Sequence, residues 1–78
     1  MITLRKRKVF MTSVSSDTIG VKTKFIIEIK DEYGQFQPFA EKGIDLYHDT
    51  PEARNAALDA AQRTFQEAGC KVRVVKGA

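Results

Sequence analysis

The sequence predicts one small α+β domain, a three- to four-stranded, mostly antiparallel sheet packed against one α-helix. Three observations predict it: apolar and polar residues alternate over 21–30, an alanine-rich helical pattern covers 51–68, and a short alternating segment follows at 71–75. The 78 residues allow a single core, so we expect one domain over residues 1–78. The expected element order is β-β-β-α-β.

The first half of the chain reads as two strands and a third, less regular one. We expect a strand from Lys8 to Val14 after a flexible basic segment at residues 1–7, then a polar turn. In the second strand, residues 21–30, every second residue except Thr23 is apolar, which gives the strand one apolar face. A turn at 31–34 leads back into 35–40, where Pro38 favours a sheet edge or a bulge. Whether residues 35–47 form one bulged strand or two stays open.

The helix carries clear start and stop signals. Thr50 suits the N-cap position and Pro51 the first helical position, and Gly69 suits the residue after the C-cap. Arg54 departs from the pattern because it falls on the apolar margin of the first turn. A Schellman ending would bring Cys70 against Phe65, so we expect Cys70 to be buried and unreactive. The short connections on both sides of the helix suit a right-handed βαβ unit.

The alternation and the helical periodicity together predict the core. Its expected members are Phe10, Val14, Val21, Phe25, Ile27, Ile29, Phe36, Leu46, Ala57, Leu58, Ala61, Phe65, Val72 and Val74.

Several functional classes find no support in the sequence. One cysteine and no apolar segment after the basic N-terminus argue against a secreted protein, so we expect a cytoplasmic one without membrane contact. His48 and Cys70 are too few ligands for a structural zinc site, and the isolated glycines form no phosphate loop. No nucleophile motif accompanies the serines. We therefore expect no enzyme, no metal and no cofactor.

The distribution of charge is the positive signal. The net charge is only +3, but residues 1–30 carry seven basic and two acidic side chains, residues 31–70 three and eight, and residues 71–78 three and none. Alternation places Lys22, Lys24, Lys71 and Arg73 on the sheet face away from the helix, with Arg5, Lys6, Arg7 and Lys8 beside them. Such a face predicts a binding module that contacts nucleic acid mainly through phosphates.

A protein-docking module is the alternative. The same open face is expected to carry Ile26, Phe39 and Val75, and exposed apolar residues on a sheet suggest a protein contact or a homodimer. A small accessory or inhibitor protein of phage or mobile-element type would dock in this way, through the open sheet or an edge strand. A further interpretation of the basic residues is that lysines on an open sheet face only keep it soluble and protect its edges.

A family resemblance adds to the nucleic-acid hypothesis. The strand at 24–31, a turn, a further strand and the segment 49–54 opening an alanine-rich helix resemble the sheet-plus-helix pattern of AP2-type and integrase arm-binding domains. That resemblance implies DNA binding through the sheet. The strands lack the arginine and tryptophan residues of those domains. The pattern is similar, too, to small bacterial sheet-plus-helix domains of unknown function.

Overall fold

The computed structural model describes residues 1–41 and 43–77, and in them four strands and one helix follow the expected order. The elements are β1 (Ile2–Val14), β2 (Ile19–Lys30), β3 (Phe36–Pro38), α1 (Pro51–Glu67) and β4 (Val72–Lys76). The strands form one mixed sheet in the order β3-β2-β1-β4. The α+β class is therefore confirmed.

The sheet is organised around a long hairpin formed by β1 and β2. Their antiparallel pairing runs without interruption from Leu4 opposite Ile29 to Val14 opposite Ile19. On one side β3 pairs antiparallel with the end of β2, and on the other β4 pairs parallel with the start of β1. Only the β1–β4 pair is parallel, and it requires the crossover that α1 provides.

The N-terminal basic segment is part of the sheet. β1 begins at Ile2, so residues 2–7, expected to be flexible, form its first half. Leu4 is fully buried and pairs with both Ile29 and Val74. The flexible-segment prediction was wrong because a run of four basic residues hides the alternation that Ile2 and Leu4 begin.

The helix begins and ends as predicted. The hydroxyl of Thr50 accepts a hydrogen bond of 3.1 Å from the backbone N–H of Ala53. At the C-terminus, Gly69 has a φ of 86°, and the N–H of Cys70 donates to the carbonyl of Phe65 at 2.9 Å. These contacts define a Schellman ending. Its backbone does not bury the thiol, however: Cys70 is exposed, which corrects the expectation that it is covered.

The core lies between α1 and the first half of the hairpin. Leu4 and Ile27 are fully buried there, and Leu58 and Ala61 of the helix pack onto them. Half-buried apolar residues surround this centre: Ile2, Ile29, Ile44, Ala57, Phe65, Val72 and Val74. The helix and last-strand part of the predicted core is therefore confirmed. Leu46 and Phe25 are also half-buried, but they are not among the residues packed against this centre.

The far half of the hairpin extends beyond the helix. Phe10, Val14 and Val21, all predicted in the core, are 67%, 75% and 64% exposed. They lie on the helix-facing side of the sheet, as the alternation requires, but α1 does not reach them. Its 17 residues span about 25 Å, whereas the 13 residues of β1 span about 40 Å. The molecule is correspondingly elongated, 51 × 25 × 20 Å.

Phe36 and Phe39 occupy the opposite faces from those predicted. β3 pairs Phe36 with Lys30, which turns Phe36 away from the helix. Phe39 is 5% exposed and lies in the core, with its ring centre 5.9 Å from that of Phe65. Phe36 and Phe39 are three positions apart, so their side chains point to opposite faces of the sheet. An error of one residue in the predicted register therefore exchanges the faces assigned to them. Phe39 is consequently not an open-face interface residue.

The segment between β2 and the helix is one short strand followed by isolated contacts. Asp31 closes the turn by accepting hydrogen bonds of 2.9 Å from the N–H groups of Tyr33 and Gln35, and these bonds lower the pKa of its carboxyl. β3 then ends at Pro38, on the sheet edge as predicted. Farther on, His48 makes a single antiparallel bridge to Phe25.

The helix is not a candidate membrane span. Over the ranges 1–41 and 43–77, no helix has the length and apolar character needed to cross a bilayer.

Replacing Phe39 tests its position in the core. We expect Phe39→Ala to lower the free energy of unfolding by about 3 kcal/mol, because a buried aromatic ring leaves a cavity. Tyr33→Ala is the control, since Tyr33 is an aromatic residue that is 82% exposed, and its loss is expected to cost less than about 0.5 kcal/mol. Urea denaturation measures both. Equal losses would place Phe39 on the surface.

The exposure of Cys70 can be measured directly. We expect a small aromatic disulfide reagent to modify the native protein within a few-fold of its rate on the unfolded chain, because no packing shields the thiol. Stopped-flow absorbance in buffer and in concentrated urea gives the two rates. A native rate slower by about a hundredfold or more would mean that the thiol is covered after all.

Candidate functional site

Glu28 forms ion pairs with two of the predicted nucleic-acid-binding residues. Its carboxylate is buried and lies 2.6 Å from Nη2 of Arg5 and 3.6 Å from Nη1 of Arg7. The guanidinium of Arg5 stacks on Phe36, 3.9 Å from the ring centre. Arg5 and Arg7 therefore hold together the sheet face opposite the helix. The single carboxylate balances one of their two positive charges, and Arg7 is the more loosely paired and the more exposed of the two.

Lys24 is paired as well. Its ammonium group contacts the carboxylate of Asp49, the residue before the N-cap. This hydrogen bond lowers the pKa of the Asp49 carboxyl from its ordinary value, and the charge of Lys24 adds to the effect. Lys24 thus ties β2 to the start of the helix.

The four cations expected to converge on the open face are far apart. Lys22 pairs with Met11 and Arg73 with Thr3, eight positions away along β1. At the rise of a strand this is about 25 Å. Lys71 lies still farther along, just before β4 begins. The alternation places Lys22, Lys24 and Arg73 on one face, but the register does not bring them together.

The predicted apolar interface on that face is not formed either. Ile26 lies on the face opposite the helix, as predicted, but it is only 5% exposed. Arg7 lies directly opposite it, and Glu28 and Lys24 flank it along β2, so long side chains held in ion pairs surround it. Val75 is half-buried on the same face, opposite Arg5.

A different group of cations does converge, on the helix-facing side. An open groove of about 550 Å³ lies where the hairpin passes the first turn of α1 and the end of β4. We call it the cationic groove. Five of the residues that line it are basic. One of them, Arg7, pairs with Glu28 on the other face of the sheet, and the other four are Lys6, Lys8, Arg54 and Lys76. Phe25, Val74, Val75 and Gly77 complete the lining.

The strand pairings bring these residues together. Lys6 and Lys8 point to the helix side because Leu4, two residues before Lys6, lies in the core. The parallel register places Lys76 directly beside Lys6, and the N–H of Gly77 donates to the carbonyl of Lys6 at 2.9 Å. β1 and β4 therefore contribute three of the four cations to one site.

Arg54 closes the groove from the helix. Its Nη1 donates to the carbonyl of Arg7 at 3.3 Å, and its guanidinium carbon lies 5.4 Å from the centre of the Phe25 ring. Partial burial lowers the pKa of this guanidinium from its ordinary value, but an arginine remains charged throughout the physiological range. Because Arg54 lies in the first turn, the positive end of the helix dipole borders the same groove.

Within the described residues, no carboxylate balances the charge of the cationic groove. Among the residues that the structure describes, no carboxylate lies within ion-pair distance of Lys6, Lys8, Arg54 or Lys76; the three ion pairs all involve other cations. Lys6 and Lys76 are adjacent across two strands, and like charges in that arrangement repel. An anion bound between them would relieve this repulsion.

Sequence reasoning identified only half of the groove. Lys6 and Lys8 were in the predicted set, whereas Arg54 and Lys76 were not. The signal for Arg54 was its position on the apolar margin of the first helical turn, where a charged residue is unusual. No local pattern in the sequence indicated that Lys76 belongs to the site, because its proximity to Lys6 arises from the parallel pairing of β4 with β1.

The residues weighed for metal binding and catalysis are not among those that line the groove. Over the described residues, no three His, Cys, Asp or Glu side chains are grouped as metal ligands. His48 pairs with Phe25 through its backbone, and its buried Nε2 has no hydrogen-bond partner within the described part of the chain.

Comparisons with known proteins found no match: no family model matches the chain, and no curated protein or solved structure is significantly similar to it. The resemblance to AP2-type and integrase arm-binding domains therefore gains no support from them.

The ion pairs around Glu28 give a testable contrast. We expect Glu28→Gln to lower the free energy of unfolding by about 2 kcal/mol, because it removes a buried charge that two arginines neutralise. Asp49→Asn is the control: it breaks the exposed pair with Lys24 and should leave the urea midpoint nearly unchanged. If the Glu28 variant were as stable as the Asp49 variant, the buried ion pairs would not contribute to the fold.

Proposed function

We propose that the protein is a non-enzymatic binding module that holds the phosphate backbone of nucleic acid in the cationic groove. One observation carries the proposal: four cations from three segments surround one open groove, and no described carboxylate neutralises them. Of the basic residues proposed from the sequence, this site retains Lys6 and Lys8, and it adds Arg54 and Lys76.

Phosphate is the ligand chemistry that best suits these residues. Arginine donates a planar fork of N–H groups and lysine a mobile point charge, and both bind phosphate oxygens. A groove open to solvent accepts an extended chain of phosphates more readily than an enclosed small molecule. The contacts would be to the backbone, so we expect little sequence preference.

Salt dependence measures the number of phosphate contacts. If three or four of the cations touch phosphates, log K should fall with log salt at a slope of about −3 on duplex DNA. Fluorescence titration at several salt concentrations, with duplex DNA, single-stranded DNA and RNA, gives the slope and the preferred form. No detectable binding to any of them at about 50 mM salt and tens of micromolar protein would reject the proposal.

A charge-matched pair of variants separates the cationic groove from the general charge of the molecule. Lys8→Ala/Lys76→Ala removes two groove cations, and we expect it to weaken binding and flatten the slope by about two units. Lys22→Ala/Arg73→Ala has the same net charge but changes two exposed residues on the opposite face, and we expect it to leave the slope unchanged. If both variants flattened the slope equally, binding would not be located in the groove.

A further inference from the structure

The far half of the hairpin is a two-stranded ribbon with one apolar face, and nothing in the described chain covers that face. We call this part the arm; it comprises residues 10–14 of β1, residues 19–23 of β2 and the turn between them. β4 pairs with β1 only as far as Lys6, and the last contact on the outer edge of β2 is at Phe25. In the described residues, therefore, neither a neighbouring strand nor the helix supports the arm.

Four large apolar side chains lie on one face of the arm. Phe10, Val14, Ile19 and Val21 share the helix-facing side by register, and each is 64–75% exposed. A two-stranded ribbon is at best marginally stable in water without a second layer on its apolar face. Apolar side chains grouped in this way, unlike ones scattered singly, indicate a contact surface.

The charge of the arm restricts what can cover it. Its apolar face has no charged side chain between Lys8 and the tip, and the turn contributes only Asp17. Lys22 lies on the other face, opposite Met11. The nearest cation on this side is Lys8 at the base of the arm, where its Nζ lies 5.8 Å from the centre of the Phe10 ring. The rest of this face offers phosphates and anionic lipid headgroups no cation. A surface that is neutral and apolar can meet its own copy without repulsion, even though each chain carries a net charge of +3.

We propose that two copies of the chain associate by packing the apolar faces of their arms against each other. Such a contact is self-complementary and closes as a two-fold dimer, because the same surface is used by both copies. Covering the four side chains on both copies buries on the order of 1,000 Å², and the threonines and backbone between them bring the total to about 1,200 Å², the lower limit for a specific interface. We therefore expect a micromolar dimer. The inference does not depend on nucleic-acid binding.

Sedimentation equilibrium on the full chain tests this dimer. At about 100 µM and with a reductant present to keep the exposed Cys70 from forming disulfides, the chain should have twice its mass of 8.8 kDa, and dilution should return it to monomer. A monomeric chain at this concentration would overturn the proposal. If that monomer bound neutral phosphatidylcholine vesicles through the arm, the arm would be a lipid contact instead.

Substitutions on the two faces of the arm locate the interface. The double variant Phe10→Thr/Val21→Thr removes apolar area from the proposed interface, while threonine still favours the strand conformation. We expect it to weaken association at least about tenfold. Met11→Thr is the control, because Met11 lies on the opposite face and should leave association unchanged. A dimer that resisted the double change, or that was weakened equally by Met11→Thr, would contradict the proposal.

A third measurement does not rely on variants. Amide exchange of the arm should slow as the concentration of the wild-type chain rises, whereas exchange in the core around Leu4 and Ile27 should not depend on concentration. Arm protection that stayed constant from about 5 to 200 µM would contradict a dimer built on the arm.

Discussion

The register of β1 against β2 is the constraint on which the other features of the molecule depend. Side chains alternate along a strand, so the pairing of Leu4 with Ile29 assigns every residue of the hairpin to one face or the other. The same pairing divides the basic run near the N-terminus. Arg5 and Arg7 face the buried carboxylate of Glu28, while Lys6 and Lys8 face the helix side, where no described acid meets them. Four consecutive cations thus become two that stabilise the sheet and two that remain available for a ligand.

The length of the helix then decides which parts of the hairpin are covered. α1 packs over the start of the hairpin, where Leu58 and Ala61 contact Leu4 and Ile27. Its first turn lies at the boundary between the covered base and the free arm, and Arg54 projects there beside Lys8. The cationic groove and the arm are therefore neighbours with different chemistry. The groove contains basic side chains and the arm exposes apolar side chains. We therefore propose phosphates as the ligand of the groove and a second copy of the chain as the partner of the arm.

The features that sequence reasoning predicted are those with local signals. Thr50 and Gly69 mark the two ends of the helix through backbone chemistry that any context preserves. Alternation assigned Phe10 and Val21 to the correct face but could not show that no layer covers them, because coverage depends on the reach of a distant helix. The predicted faces of Phe36 and Phe39 were exchanged because β3, a three-residue strand that ends at Pro38, has too few positions to define its register. The groove required Lys76 to lie beside Lys6, a pairing that depends on the crossover and not on any local pattern.

Cross-strand nuclear Overhauser effects along the hairpin test this account most directly, because they report the register itself. The account predicts Hα–Hα contacts at alternate positions of one continuous ladder, from Leu4–Ile29 at the base to Val14–Ile19 at the tip, with a parallel contact between Lys6 and Lys76 at its side. A ladder shifted by one residue, or one that stopped before Phe10, would contradict it. Lys6 and Lys8 would then no longer share a face with Arg54, or the arm would not exist as a ribbon.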